Sequence, residues 1–102
     1  MNINITARKF KAKDTLKEFI RSEVKSLEKF NDSIQDVDVV LSYLHNKDSI
    51  KIAEISVSVP GKTLLVTEES EEFTKAITES ADKLKRQLKK IKSKKRAKSK
   101  IS

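Results

Sequence analysis

The sequence predicts an α+β fold: a four-stranded sheet with two helices packed on one face, in the order β-α-β-β-β-α. Three observations carry this. In "IKIAEISVSV", apolar and polar residues alternate strictly from Ala53 to Val59. The lone Pro-Gly pair, Pro60-Gly61, follows it directly. Two stretches, one early and one late, repeat apolar residues at the spacing of a helix instead.

In chain order, "NINIT" places Ile3 and Ile5 on one side of a short strand. Leu16, Phe19, Ile20, Val24, Leu27 and Phe30 then recur over about four helical turns, with Asp14 placed to cap or charge-stabilise the start. "NDS" at 31–33 ends that helix with turn-forming residues. The second strand, "IQDVDVVLSYLH", sets Val37, Val39, Leu41 and Tyr43 on one face, and "NKDS" breaks it. In the third strand, Ala53, Ile55, Val57 and Val59 face one way while Glu54, Ser56 and Ser58 face the other. Pro60-Gly61 turns the chain into "KTLLVT", the fourth strand. Ser70 reads as the N-cap of the last helix, with Glu71 and Glu72 in its first turn. Phe73, Ala76, Ile77, Ala81, Leu84, Leu88 and Ile91 form its apolar stripe. The helix between strands one and two makes those strands parallel neighbours, and two consecutive hairpins make the remainder an antiparallel meander.

The stripe stops at Ile91, so the helix is expected to end there or at Lys92. The chain then divides into a domain at 1–92 and a basic, disordered tail at 93–102. The 102 residues suffice for one modest core. There is no cysteine to bridge or ligate, and the one histidine, His45, cannot hold a metal alone. No apolar run reaches the roughly 20 residues of a membrane span. "MNINITARKF" lacks the apolar core of a secretory signal, so a cytoplasmic protein is expected.

Enzyme chemistry finds little to work with. A single glycine rules out a glycine-rich phosphate loop, and no nucleophile–base pair stands out. Asp36 and Asp38 share a strand face and read as solvated acids rather than a cation site. Glu68 to Glu72 is explained by its place at a helix start. No catalytic residue, metal, cofactor or small-molecule substrate is assigned.

Charge is more informative. The net charge of +8 is confined to one end: residues 83–102 hold eleven bases and no acid, while residues 1–82 hold twelve bases against fifteen acids, a net of −3. Such asymmetry implies a polyanionic partner, above all nucleic acid. At 100° per residue, Lys83, Arg86 and Lys90 lie within about 60° of one another on one flank of the last helix, with Lys85, Lys89 and Lys92 on the other. A surface helix must carry something polar, and lysine is a good helix former. A helix tuned only for stability, however, would interleave glutamates at i, i+4, and none follows Asp82. The loop "ARKFKAK" adds Arg8, Lys9, Lys11 and Lys13. The five aromatics are largely claimed by apolar stripes, which favours backbone recognition of folded RNA over base stacking on the sheet. A generic basic-tailed nucleic-acid binder, and a protein–protein module using the acidic 68–72 segment and the open sheet face, remain as alternatives.

An ordered set of stretches resembles the short ribosome hibernation-promoting factors and ribosome-associated inhibitors. It comprises "NIT" near the start, "LKEF" and "LEKF" in the first helix, "VDVVL" in strand two and "AEISVSVPG" in strand three and its turn. "EEFTKAI" and "DKLKRQLKK" follow in the final helix. The resemblance implies a fold like that of double-stranded-RNA-binding domains, with docking in the cleft of the small ribosomal subunit where messenger and transfer RNA bind. Translation would be silenced under starvation or stress in a bacterial cell. The partners implied are small-subunit rRNA and the whole ribosome, with the protein itself monomeric when free. Ending at Ser102, the chain resembles a short form, without the extra C-terminal dimerisation domain of longer relatives. The family's basic helix positions fall on Lys83, Arg86 and Lys90. Lys85, Lys89, Arg8, Lys9 and Lys25 complete the expected RNA-contacting set. Relatives often carry lysine where this chain has Glu23 and Ser26, leaving Lys25 and Arg21 as substitutes. "SKKRAKSKIS" is not a family motif and is expected to act as a non-specific electrostatic extension.

Overall fold

A computed structural model of the chain describes residues 1–44 and 47–101, with side chains described except at 47–49 and 92–101. Its elements are β1 (Asn2–Ala7), α1 (Asp14–Lys25), a 3-10 turn (Ser26–Lys29), β2 (Asp36–Leu44), β3 (Lys47–Val59), β4 (Lys62–Ser70) and α2 (Phe73–Ile101). The sheet order is β1-β2-β3-β4. β1 runs parallel to β2, with Ile3 opposite Val37 and Ile5 opposite Val39. β2–β3 and β3–β4 are antiparallel, with Ile55 opposite both Val39 and Val66. The expected α+β sandwich is the one observed.

One apolar layer fills the space between sheet and helices. Val37, Val39 and Leu41 of β2, Ala53, Ile55 and Val57 of β3, and Leu64 and Val66 of β4 meet Ile20 and Val24 of α1, Leu27, and Ala76, Ile77, Leu84 and Leu88 of α2. Ser80 is also fully enclosed, and its hydroxyl donates to the Ala76 carbonyl at 2.7 Å, which satisfies the one polar group on that stripe. The outer sheet face is mostly polar, with Leu65 exposed on it. Asn2 and Asn4 there donate to Asp36 and Asp38, each at 3.1 Å, so the paired aspartates are rungs of an amide–carboxylate ladder.

Gly61 sits at φ +76°, the left-handed value that the third residue of a type II turn requires, with Pro60 suited to the position before it. A Cβ there would meet nothing within 4 Å. Gly61→Ala therefore tests conformation alone, and is expected to cost about 1–2 kcal/mol in a denaturant titration.

Several boundaries differ from the sequence expectation. Lys13, not Asp14, occupies the N-cap of α1, without a side-chain cap, so Asp14 acts through its charge in the first turn. β4 continues through Ser70 because it stays paired with β3 as far as Lys51, so Ser70 is a strand residue, not a helix cap. Glu71 and Glu72 precede α2 instead of filling its first turn, and the Glu72 carbonyl accepts the first helical hydrogen bond, from Ala76 at 3.1 Å. β3 starts at Lys47, inside the expected "NKDS" break, while His45 lies outside the described residues. The backbone of α2 runs on to Ile101, past the expected end near Lys92. No glycine or proline lies beyond it to stop a backbone rich in lysine.

Candidate nucleic-acid interface

α1 and α2 run in the same direction across the sheet. Both begin at one end, where the Phe73 ring stacks on that of Phe10 at 5.2 Å. Midway, the Thr78 hydroxyl meets Glu23 Oε1 at 3.4 Å. At the far end, Lys85 and Lys89 of α2 lie over the Phe30 ring, which follows the 3-10 turn, at 6.0 and 5.1 Å from its centroid. Leu84 and Leu88, fully buried on the apolar stripe, therefore fix where the bases beside them point.

Among the described residues, the two flanks of α2 are chemically unequal, with Lys92 outside the described side chains. Lys83, Arg86 and Lys90 are exposed on the side toward β4. There Lys83 Nζ contacts Glu68 Oε2 at 2.7 Å, with the lysine half-exposed and the glutamate largely covered. Glu79 and Asp82 line the same shallow hollow as Glu68, Lys83 and Arg86. On the other flank, Lys85 is half-buried and Lys89 exposed, and both hold a cation over an aromatic ring, an arrangement worth about 0.5–1 kcal/mol at such sites. Lys85 also lies 4.0 Å from Asp82. Among the described residues, Arg86, Lys89 and Lys90 form no ion pair.

Lys25, exposed at the end of α1, belongs to the Phe30 end of the domain, five residues before that ring. Arg8 and Lys9 do not join this group. They lie in the loop whose Phe10 stacks on Phe73, the first residue of α2, while Lys83 to Lys90 are 10 to 17 positions further along. At 1.5 Å per residue the separation is roughly 15–25 Å. The expected RNA-contacting residues thus form two clusters rather than one.

Glu23 and Ser26 have structural employment. The Ser26 hydroxyl donates to the Glu23 carbonyl at 2.6 Å, and Glu23 reaches across to Thr78 of α2. Sequence reasoning missed Glu68 as the partner of Lys83, although it shares the inward parity of Leu64 and Val66 and so had to face α2. It also missed Phe30 as the platform under Lys85 and Lys89. Glu68→Gln is expected to change stability by less than about 1 kcal/mol in a thermal melt, because the pair is solvent-accessible on the lysine side. It should also strengthen polyanion binding, since Lys83 is released.

The model of the family described as Sigma 54 modulation protein / S30EA ribosomal protein matches residues 3–96. A protein of Azotobacter vinelandii named ribosome hibernation promoting factor is 32% identical over 94 residues, covering 92% of this chain and 85% of that one. The fold is shared with a ribosomal subunit interface protein from Coxiella burnetii, at a TM-score of 0.82, 24% identity, and coverage of 91% of this chain and 99% of that one. It is shared as well with the N-terminal domain of Protein Y from Thermus thermophilus, at a TM-score of 0.77, 28% identity, and coverage of 89% and 99%. Every stretch from "NIT" at 4–6 to "DKLKRQLKK" at 82–90 falls inside the matched residues. The chain belongs to the Sigma 54 modulation protein / S30EA ribosomal protein family.

Proposed function

We propose that this chain is a ribosome hibernation factor, a non-enzymatic silencer of translation. It binds rRNA of the small ribosomal subunit near the decoding centre and occludes the messenger and transfer RNA sites. The observation that supports this most directly is the exposed group Arg86, Lys89 and Lys90, held at fixed separation on a helix anchored by Leu84 and Leu88. The names of the relatives agree with it. Lysines and arginines fixed along a helix match the regular phosphate spacing of folded RNA, and their counterion release supplies the affinity. The mechanism is occupancy, so no covalent step or cofactor is needed. The factor binds as a monomer in the cytoplasm; among the described residues no helix is long and apolar enough to cross a membrane. Residues 93–102 act as an electrostatic extension that adds affinity without selecting the site.

Sedimentation of the purified chain with intact ribosomes tests this reading. Stoichiometric migration with the small subunit or whole ribosome at physiological salt is expected, together with inhibition of a translation extract. With about six phosphates neutralised, the log–log salt slope should be roughly −4 to −5. Migration only at low salt, matched by equal binding to unrelated RNA, would instead identify a generic basic binder. Removing residues 93–102 separates the two mechanisms further, because it cripples a tail-driven binder and only weakens a docked one.

A further inference from the structure

The loop between β1 and α1 is built unlike a solvated connection. Its residues alternate: Lys9, Lys11 and Lys13 are exposed, while Phe10 is half-buried and Ala12 buried. Phe10 stacks on Phe73 at 5.2 Å with the rings 11° apart, and Tyr43 sets its ring edge-on to both at 5.1 and 5.5 Å. Lys51 closes the cluster: its ammonium lies 5.7 Å from the centre of the Tyr43 ring and donates to the Glu71 carbonyl at 2.9 Å. The Arg8 amide donates to the Leu41 carbonyl at 2.9 Å, which ties the start of the loop to β2. Lys9 holds φ +63°, the only non-glycine residue at positive φ among those described. A lysine resists that conformation unless its surroundings impose it, and here it lets Phe10 turn inward directly after Arg8.

Every second residue is thus anchored, and the bases between the anchors are held outward with no acid among them from Arg8 to Lys13. An apolar loop anchor alone would explain Phe10 and Ala12, but it would not require all the intervening positions to be cationic. We infer that this loop is a second, preformed phosphate-contacting site for RNA, at the pole of the domain opposite the Lys83–Lys90 group, with Phe10 as its positioning residue. One RNA surface that engages both sites must extend roughly 15–25 Å along α2. Each site then raises the effective concentration of the other. The inference rests on the reading of the chain as a small-subunit-binding factor.

The test is binding of the full chain to purified small ribosomal subunits over a salt series. It compares Arg8→Gln/Lys11→Gln/Lys13→Gln, Arg86→Gln/Lys90→Gln, Phe10→Ala and Phe10→Tyr, each shown to be folded by its melting curve. The loop triple should lower affinity tenfold or more at physiological salt and shrink the salt slope by about 2–3, because each phosphate left unneutralised removes about 0.7–0.9. Phe10→Ala changes no charge, yet should weaken binding fivefold or more, and Phe10→Tyr should restore it. If the loop triple binds with unchanged affinity and slope while the α2 pair loses both, the second site is overturned and the ribosome-binding reading stands. If the α2 pair also binds like the wild type, that reading falls as well. Weak binding by the loop triple with full binding by Phe10→Ala would overturn the preformed, Phe10-positioned site.

Discussion

Replacing Lys83, Arg86 and Lys90 together by glutamine is expected to leave the domain folded and to lower its affinity for small ribosomal subunits by about 100-fold or more at physiological salt. All three side chains are exposed, so the core loses nothing. The one ion pair removed, Lys83–Glu68, is half-open to solvent and contributes at most about 1 kcal/mol to folding. Glutamine keeps helix propensity nearly constant, which confines the effect to charge. Each phosphate left unneutralised should flatten the salt slope by about 0.7–0.9, so the triple variant should lose about 2–3 of the roughly −4 to −5 expected for the parent. The three residues should contribute unequally. Lys83 already has Glu68 at 2.7 Å, whereas Arg86 and Lys90 have no ion-pair partner among the described residues, so single substitutions of the latter two should account for most of the effect. Equilibrium binding over a salt series, alongside a melting curve, checks all of this. Undiminished translational silencing by the triple variant would remove these residues from the site.

Leu84→Ala should do the reverse. Leu84 is fully enclosed between α2 and the sheet, and truncating a leucine at such a position costs about 3–5 kcal/mol through reduced apolar burial and the cavity left behind. For a domain of this size that lowers the melting temperature by roughly 12–25 °C. Where the parent is stable by about 7 kcal/mol or more, within the typical range of about 5–15, the variant stays folded at 25 °C, with its bases in place on an intact helix. Ribosome affinity should therefore stay close to the parent value at 25 °C and collapse on warming, ahead of the parent. Calorimetry paired with binding at two temperatures separates this variant cleanly from the charge variant. A melting temperature lowered by only a degree or two would mean that the packing of α2 on the sheet is not the core of the domain.

The elements themselves were legible because burial has a short period. Alternation at Ala53, Ile55, Val57 and Val59 and the 3.6-residue stripe from Phe73 to Leu88 each record one face of one element, and both faces are buried as expected. The parallel pairing of β1 with β2 followed from connectivity, since a strand joined to the next through a helix returns in the same direction. Boundaries were harder where two rules compete. Acids at 68–72 suit a helix start, but continued pairing with β3 kept Glu68 and Glu69 in a strand and left Ser70 there too. Absence of an apolar stripe after Ile91 suggested the end of α2, yet a stripe reports packing and not backbone conformation.

The candidate site divides along the same line. From the sequence alone came the family, the sheet-and-helix fold, the excess of bases in the last fifth of the chain, and the grouping of Lys83, Arg86 and Lys90 on one helix flank. These depend on residues close in sequence, or on an ordered set of local stretches. Only the tertiary structure decided that Arg8 and Lys9 stand at the opposite pole from that flank, that Glu68 engages Lys83, and that Phe30 lies under Lys85 and Lys89. Electrostatic and aromatic contacts weaken with distance in space, and the folding of β1, β4 and α2 onto one sheet sets those distances independently of how far apart the residues lie along the chain.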